Sequence, residues 1–229
     1  MRALLVVVLL LLGLAVLADR FAVGIAEGKV AEQVAAKGGL QGKPTVDITG
    51  FPFLTQAAAG RYEDVRIGLT ADQLGQPAGT RADIDLRGVR LPLSSVLTGS
   101  VSRVPVDRID GTATLSYALL SDRFGSDTTL TREGDGLRIT RTVEVLGQRV
   151  PLTAVGKLTL KGSDLVVDVQ QASGAGVDVP DFLLSRAADL LDLRYTVPPL
   201  PFGLQLTGVT PGKDGVDVRV EATDTVLSG

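Results

Sequence analysis

The hydrophobic pattern of the chain begins with one long apolar run. Residues 3–18 are apolar without interruption, after Arg2 and before Asp19. As a helix this run spans about 24 Å, which is shorter than the ~30 Å hydrocarbon core of a bilayer. Val16 and Ala18 fit the small-residue pattern of a signal-peptidase site. The run therefore predicts an export signal or an uncleaved N-terminal anchor, with a buried core helix as the alternative.

A helical period follows over residues 21–37. Four apolar residues share one face at 3-4-4 spacing: Val23, Ala26, Val30 and Val34. Glu27 lies near the apolar edge of this face, and Gly38 ends the segment. We interpret it as a membrane-proximal stalk, as a helix lying inside a curved sheet, or as an ordinary packing helix.

From residue 44 the apolar positions alternate, which is typical of strands. The strands predicted in this way are 44–49, 64–69 and 81–87, and a less regular strand is predicted at 101–110. Further strand signals, separated by turns, predict strands at 136–145, 150–160, 165–169, 203–209 and 215–222. The apolar phase slips by one residue after Gly88, which predicts a β-bulge. Short turns between successive strands favour an antiparallel meander. Helical segments are predicted at 92–97, 112–124 and 180–193.

The amino-acid composition excludes several common kinds of catalytic and metal-binding site. The 229 residues carry a net charge of -3, which provides no basic footprint for nucleic acid. Neither Cys nor His occurs, so thiolate metal sites, disulfides and histidine bases are excluded. The Asp83-Ile84-Asp85 segment has the spacing of a metal-nucleotide site, but it lies on the polar face of an alternating strand and favours a solvated surface. A Ser-Lys pair or a carboxylate pair stays open, because spatial pairing is not visible in a sequence.

Two Pro-rigidified aromatic segments stand out in this aromatic-poor chain. Phe51 and Phe53 flank Pro52, and Phe202 follows Pro201 just before a predicted strand. One interpretation is an ordinary core, and the other is that these segments line or gate an apolar lipid cavity. The candidate lipid-binding residues are Phe51, Phe53, Leu54, Phe182, Leu183, Phe202 and Leu204.

The order of these segments resembles a known family. An apolar N-terminus is followed by the block Gly50-Phe51-Pro52-Phe53-Leu54-Thr55-Gln56, the spacer 57–60 and the segment 62–65, and the segment 199–204 precedes the closing strands. Over nearly the whole chain this is similar to the DUF2993, or LmeA-like, family of actinobacterial cell-envelope phospholipid-binding proteins. The Phe-Pro-Phe block is the most specific part of the resemblance.

The resemblance implies an α+β fold, with an elongated, curved, mostly antiparallel sheet packed around a long helix, as in tubular lipid-binding (TULIP-type) modules. It implies an exported protein at the outer face of the plasma membrane that binds phospholipid, including phosphatidylinositol-type lipids. It further implies support of mannan elongation in lipoglycan synthesis, with envelope glycosyltransferases as candidate partners. It implies neither a cofactor nor catalytic residues.

Three functional hypotheses follow from the residues and the resemblance together. The first is an exported or membrane-anchored protein that binds phospholipid in an apolar groove. The second is a non-enzymatic scaffold for envelope biosynthesis enzymes, and the third is an enzyme acting on envelope lipids. We expect residues 1–20 to be the signal peptide or anchor and residues 21–229 to form a single lipid-binding domain.

Overall fold

In a computed structural model of the protein, one helix contains both the apolar run and the helical segment after it. The structure describes residues 2–98, 101, 103–125, 127–145, 148–174, 177–178, 194–197 and 200–228. Helix α1 (Arg2–Gly38) is long and apolar enough to cross a membrane, and almost none of its apolar window is buried. Its buried residues begin where the run ends: Asp19, Val23, Ala26 and Ala31. The predicted helix is confirmed, although Ala31 is buried more completely than the expected Val30.

The other helices are short and the strands are many, which confirms the α+β class. The short helices are α2 (Phe53–Ala59), α3 (Ala71–Leu74), α4 (Leu93–Thr98) and α5 (Tyr117–Phe124). The first strands are β1 (Thr45–Thr49), β2 (Arg61–Thr70), β3 (Arg81–Arg90), β4 (Arg103–Ser116), β5 (Thr128–Glu133) and β6 (Gly136–Val145). The later strands are β7 (Gln148–Lys161), β8 (Asp164–Gly174), β9 (Val177–Asp178), β10 (Arg194–Thr196), β11 (Gln205–Pro211) and β12 (Gly215–Ser228).

The strands form two antiparallel sheets. The first has the order β1-β2-β3-β4-β12-β11, and the second has the order β10-β8-β7-β6-β5 with β9 paired to β8. In the second sheet β5 to β8 are joined in sequence order, so the predicted meander is confirmed there. The short sequences between these strands leave no room for a crossover, and each strand therefore returns beside its predecessor.

The chain divides into two compact units. Unit 1 comprises Met1–Leu69, Asp83–Gly111 and Ala222–Gly229, and unit 2 comprises Thr70–Ala82 and Thr112–Glu221. Strands β4 and β12 contribute residues to both units. The assignment of residues 21–229 to one lipid-binding domain stays a prediction.

In unit 1, α1 packs against β1, α2 and α4. The carboxylate of Glu27 accepts a hydrogen bond at 2.9 Å from the backbone N–H of Ile48 in β1. This contact explains the position of Glu27 at the apolar edge of the helix, because an edge strand leaves backbone N–H groups without a strand partner.

Two local predictions have different outcomes. The phase slip in β3 is confirmed, since Leu86 and Val89 are both buried and Gly88 between them has φ 65°.

The helix predicted for 112–124 is wrong in its first part, because β4 continues to Ser116. Thr114, buried in β4, donates a hydrogen bond at 2.5 Å to Asp217 of β12, and this tertiary contact favours the strand over the weak helical periodicity. The helix predicted for 180–193 lies outside the described residues.

Candidate functional site

Unit 2 contains an apolar cavity between the face of the second sheet and α5. Its volume is about 550 Å³, including its opening to solvent. Ten of its eleven lining residues are apolar, and the exception is Thr128. The lining residues are Leu115, Leu120, Phe124, Thr128, Leu130, Leu137, Ile139, Leu158, Leu165, Val167 and Val216. Such a surface favours a hydrocarbon ligand, because it offers water almost no hydrogen-bonding partners.

The register of the second sheet places the lining side chains together. Leu130 of β5 lies opposite Ile139 of β6, and Leu158 of β7 lies opposite Val167 of β8. Residues two apart on a strand share a face, so Leu137 joins Ile139. The alternating pattern of these strands therefore produces one continuous apolar wall.

A glycine in β7 shapes this wall. The register between β7 and β8 shifts between Val155 and Gly156, which is a bulge. A Cβ at Gly156 would lie 2.5 Å from the carbonyl oxygen of Asp168 and 2.8 Å from a methyl of Val167. Only glycine permits this close approach of β8, and bulges bend and twist the strand that contains them.

Helix α5 provides the opposite side of the cavity through Leu120 and Phe124. Ser116 is the N-cap residue of this helix, and its hydroxyl accepts a hydrogen bond from the N–H of Leu119 at 3.2 Å. The hydroxyl of Ser121 accepts another from the N–H of Leu130 in β5, also at 3.2 Å. Helix α5 is thus capped at its start and joined to the sheet beside the cavity.

The phenol of Tyr117 fixes the same helix to the turn between β11 and β12. Its hydroxyl donates a hydrogen bond at 2.8 Å to the carbonyl oxygen of Gly212. Burial raises the pKa of the Tyr117 phenol above its ordinary value, although the nearby Arg132 opposes the shift. The phenol therefore stays neutral and keeps its donor hydrogen at physiological pH.

Several partly exposed charged side chains of unit 1 are paired with one another. Arg66 contacts Asp64 at 3.1 Å and Asp85 at 3.3 Å, and Arg61 contacts Asp107 at 3.1 Å. Asp85 belongs to the segment with metal-nucleotide spacing, and it forms a solvated ion pair. Within the described part of the chain, no three acidic side chains converge to hold a metal ion.

The predicted lipid-binding residues fall into two groups that differ in burial and position. In unit 1, Phe53 is 1% exposed and its ring stacks on Tyr62 with centroids 6.1 Å apart, whereas Phe51 is 64% and Leu54 44% exposed. Burial also raises the pKa of the Tyr62 phenol. In unit 2, Phe202 is partly exposed with φ 60°, and Leu204 is half-buried.

None of these five described residues lines the cavity of unit 2. Phe182 and Leu183 lie outside the described residues. The assignment of all seven to a lipid site therefore stays a prediction. Phe53 is a core residue of unit 1, which agrees with the first interpretation of that side chain.

The side chain of Gln56 holds the Phe-Pro-Phe block in place. Its amide donates to the carbonyl oxygen of Thr49 at 3.2 Å and accepts from the N–H of Glu63 at 2.9 Å. A Cβ at Gly50, where φ is 99°, would lie 2.4 Å from the same amide. The Gln56 amide can make its two hydrogen bonds only if residue 50 lacks a Cβ. The structure therefore explains why the block begins with Gly50 and ends with Gln56.

Contacts to α1 position the middle of the block. The carboxylate of Asp19 accepts from the N–H of Leu54 at 2.8 Å, and the guanidinium of Arg20 lies over the ring of Phe51 at 5.5 Å. The peptide bond between Phe51 and Pro52 is cis. The block is therefore attached to the residues at which the apolar run of α1 ends.

Sequence reasoning did not single out the residues that line the cavity. The sequence predicted the strands that contain Leu137, Leu158 and Leu165, but it assigned none of these side chains to a face. A strand wall that faces a cavity has the same apolar period as one that faces a filled core, so the period does not distinguish the two.

Comparison with known proteins gives one match. The family model described as LmeA-like phospholipid-binding matches residues 17–221. No curated protein and no solved structure matches the chain.

Proposed function

Because the chain belongs to the LmeA-like phospholipid-binding family, we propose that it binds a phospholipid with an acyl chain in the apolar cavity of unit 2. The observation that carries the proposal is the cavity lining, in which Thr128 is the one polar residue. Each CH₂ group transferred from water to such a surface contributes roughly 0.8 kcal/mol.

The headgroup lies at the mouth of the cavity in this proposal. Burial of a phosphate among the lining side chains would leave the charge without a partner, which is costly. A few polar groups at the mouth are enough to select a headgroup. Phosphatidylinositol-type lipids are the class that the sequence resemblance suggests.

The N-terminal helix suggests where binding takes place. Its apolar run acts as a signal or an anchor, and Arg2 before the run favours retention of the N-terminus on the cytoplasmic side. We therefore place residues 21–229 at the outer face of the plasma membrane, in the cell envelope.

Lipid extraction tests the proposal directly. The full chain is purified in a detergent that is itself distinguishable by mass, extracted with organic solvent, and analysed by mass spectrometry. We expect phospholipid in a stoichiometric amount, and we expect delipidated protein to take up fluorescent phosphatidylinositol or phosphatidylcholine. A lipid-free preparation that also takes up neither lipid would overturn it.

We further propose a non-catalytic role in mannan elongation of envelope lipoglycans, together with envelope glycosyltransferases. A deletion strain is expected to make shorter lipoglycans on gels, and the intact gene is expected to restore their length. Unchanged lipoglycans in the deletion strain would reject this role and leave lipid binding standing. A scaffold without lipid is the less favoured alternative, since it predicts a solidly packed interior and the cavity argues for a ligand.

A further inference from the structure

Exposed apolar side chains surround the end of the apolar run in unit 1. Phe21 is 74% exposed, and Phe51, Leu54 and Ile25 are also exposed. They come from two segments, the first turns after the run and the Phe-Pro-Phe block. Single exposed apolar residues are common on protein surfaces. A group of them beside a helix that is long enough to cross a membrane indicates a contact surface.

Two contacts hold the block at the level of this helix end. The N–H of Leu54 donates to Asp19, the first residue after the apolar run, and Phe51 lies under the guanidinium of Arg20. Wherever Asp19 lies relative to a bilayer, Phe51 and Leu54 lie close to the same depth.

The apolar run of α1 is shorter than the hydrocarbon core of a bilayer, and this difference suggests a role for the exposed apolar side chains. Sixteen apolar residues span about 24 Å, roughly 6 Å less than the hydrocarbon core of a bilayer. A short apolar segment is accommodated by thinning the bilayer or by adjustment of the flanking residues. Phe21 and Ile25 lie about 3 Å and about 9 Å beyond Asp19 along α1, at 1.5 Å per residue, and they extend the apolar band on the outer side.

The charged side chains of Asp19 and Arg20 are compatible with a position at the membrane–water interface. The carboxylate of Asp19 is 2% exposed, and it pairs with Arg20 at 2.7 Å in addition to its bond from Leu54. The side chain of Arg20 remains half-exposed. A paired carboxylate costs far less near hydrocarbon than an isolated one, and an exposed guanidinium is suited to lipid phosphates.

We propose that Phe51 and Leu54, with Phe21, form a bilayer-contact surface that enters the outer leaflet at the headgroup boundary. Asp19 and Arg20 set its depth. The inference rests on the placement of α1 in the membrane under the proposed function. It assigns the exposed part of the Phe-Pro-Phe block to the lipids of the bilayer, whereas the lipid bound as a ligand occupies the cavity of unit 2.

The absence of Trp from the sequence allows a direct measurement of depth. Phe51→Trp places a single Trp at the proposed surface, Leu10→Trp places one within the apolar run, and Ala36→Trp is the matched control. Ala36 is exposed on the same helix, about 26 Å beyond Asp19 at 1.5 Å per residue. Each full-length variant is reconstituted in phosphatidylcholine bilayers containing lipids brominated either close to the headgroup or close to the chain end.

We expect Phe51→Trp to lose most of its fluorescence with the shallow bromines and less with the deep ones. Leu10→Trp is expected to be quenched strongly by the deep bromines, and Ala36→Trp by neither. Quenching at Leu10 without quenching at Phe51 overturns the bilayer-contact surface alone. No quenching at Leu10 overturns the membrane placement of α1 and the surface with it, while lipid extraction still tests the cavity separately.

Discussion

The carboxylate of Asp19 accepts a hydrogen bond at 2.8 Å from the backbone N–H of Leu54, thirty-five residues further along the chain. Leu54 lies in the first turn of α2, whose N-cap residue is Pro52 and makes no side-chain cap bond. The helix therefore obtains its cap from α1. Because the first N–H groups of a helix lack internal partners, this remote carboxylate replaces the usual local side chain.

Loss of this cap is expected to destabilise unit 1. Asp19→Ala should lower the free energy of unfolding by about 0.5–2 kcal/mol, the usual range for a lost helix cap. Asp19→Asn is the matched control, because its amide oxygen can still accept from Leu54, and we expect a smaller loss. Urea unfolding of the full chain in detergent, followed by circular dichroism, measures both. Equal losses for the two variants would contradict the role of the acceptor.

Truncation of the two Phe residues of the block is expected to change stability to very different extents. Phe53→Ala should cost about 3–5 kcal/mol of stability, because it removes a fully buried ring and leaves a cavity beside Tyr62. Phe51→Ala should change stability by less than about 1 kcal/mol, since the ring is exposed and contributes mainly its contact with Arg20. The same unfolding measurement compares them. A similar cost at both positions would show that exposure does not distinguish their roles.

Filling the cavity is expected to displace lipid. Leu158→Trp adds volume to a half-buried lining position, whereas Lys157→Trp places the same side chain on the opposite, exposed face of β7. We expect less bound phospholipid for Leu158→Trp and an unchanged amount for Lys157→Trp, measured by mass spectrometry of extracts. Both variants are first compared by thermal unfolding. A folded Leu158→Trp with normal lipid content would place the acyl chain elsewhere.

The bulge at Gly156 is expected to be intolerant of a methyl group. Gly156→Ala would bring a Cβ to 2.5 Å from the backbone oxygen of Asp168, so β7 or β8 must shift. At Gly174 the Cβ would meet only the end of the Leu152 side chain, at 2.8 Å, which can rotate away. We therefore expect a clearly larger fall in melting temperature for Gly156→Ala than for Gly174→Ala. The reverse order would mean that the wall of the cavity is not fixed by this approach.

Asp168 provides a prediction about pH. Its hydrogen bonds from Lys161, at 3.0 Å, and from Thr159 lower the pKa of the carboxyl below its ordinary value. A lowered pKa in the folded state adds stability that is present above the ordinary Asp value and is lost as the pH falls through the folded value. The pair is exposed, so its contribution is small.

Carbon-13 NMR titration of Asp168 checks the shift. The midpoint is expected to lie below that of an ordinary Asp and to move upwards in Lys161→Met. Lys213→Met, which removes a charge from the β11–β12 turn, is the control and should leave the midpoint in place. An unchanged midpoint in Lys161→Met would assign the shift to another group.

Much of the fold was predictable because its patterns are local. The alternation around Val46 and Ile48 identified β1, and the slip at Gly88 located the change of phase in β3. The end of β4 was not predictable in this way, since Thr112 to Ser116 also fit a weak helical period. Strand formation there is associated with the partner strand β12, including the contact from Thr114 to Asp217, which lies about a hundred residues away in the sequence.

The site was less accessible to sequence reasoning than the fold. The unusual composition of the Phe-Pro-Phe block drew attention to Phe51 and Phe53, whereas the cavity is built from ordinary Leu, Ile and Val residues. Leu115, Leu137 and Val216 line it together although they come from three different strands. The pairing register between strands brings such residues together, and this register cannot be read from the spacing of the residues in the sequence.

The interleaving of the two units has a consequence for biosynthesis. Unit 1 needs its first 69 residues, a middle segment and the residues from Ala222 onwards, whereas the last residue of unit 2 is Glu221. A ribosome therefore delivers the whole of unit 2 before it delivers the final piece of unit 1. The unit that contains the N-terminal helix is therefore the first to be started and the last to be completed during synthesis, and a stop codon at any position from 222 to 229 removes residues of unit 1 and leaves every residue of unit 2.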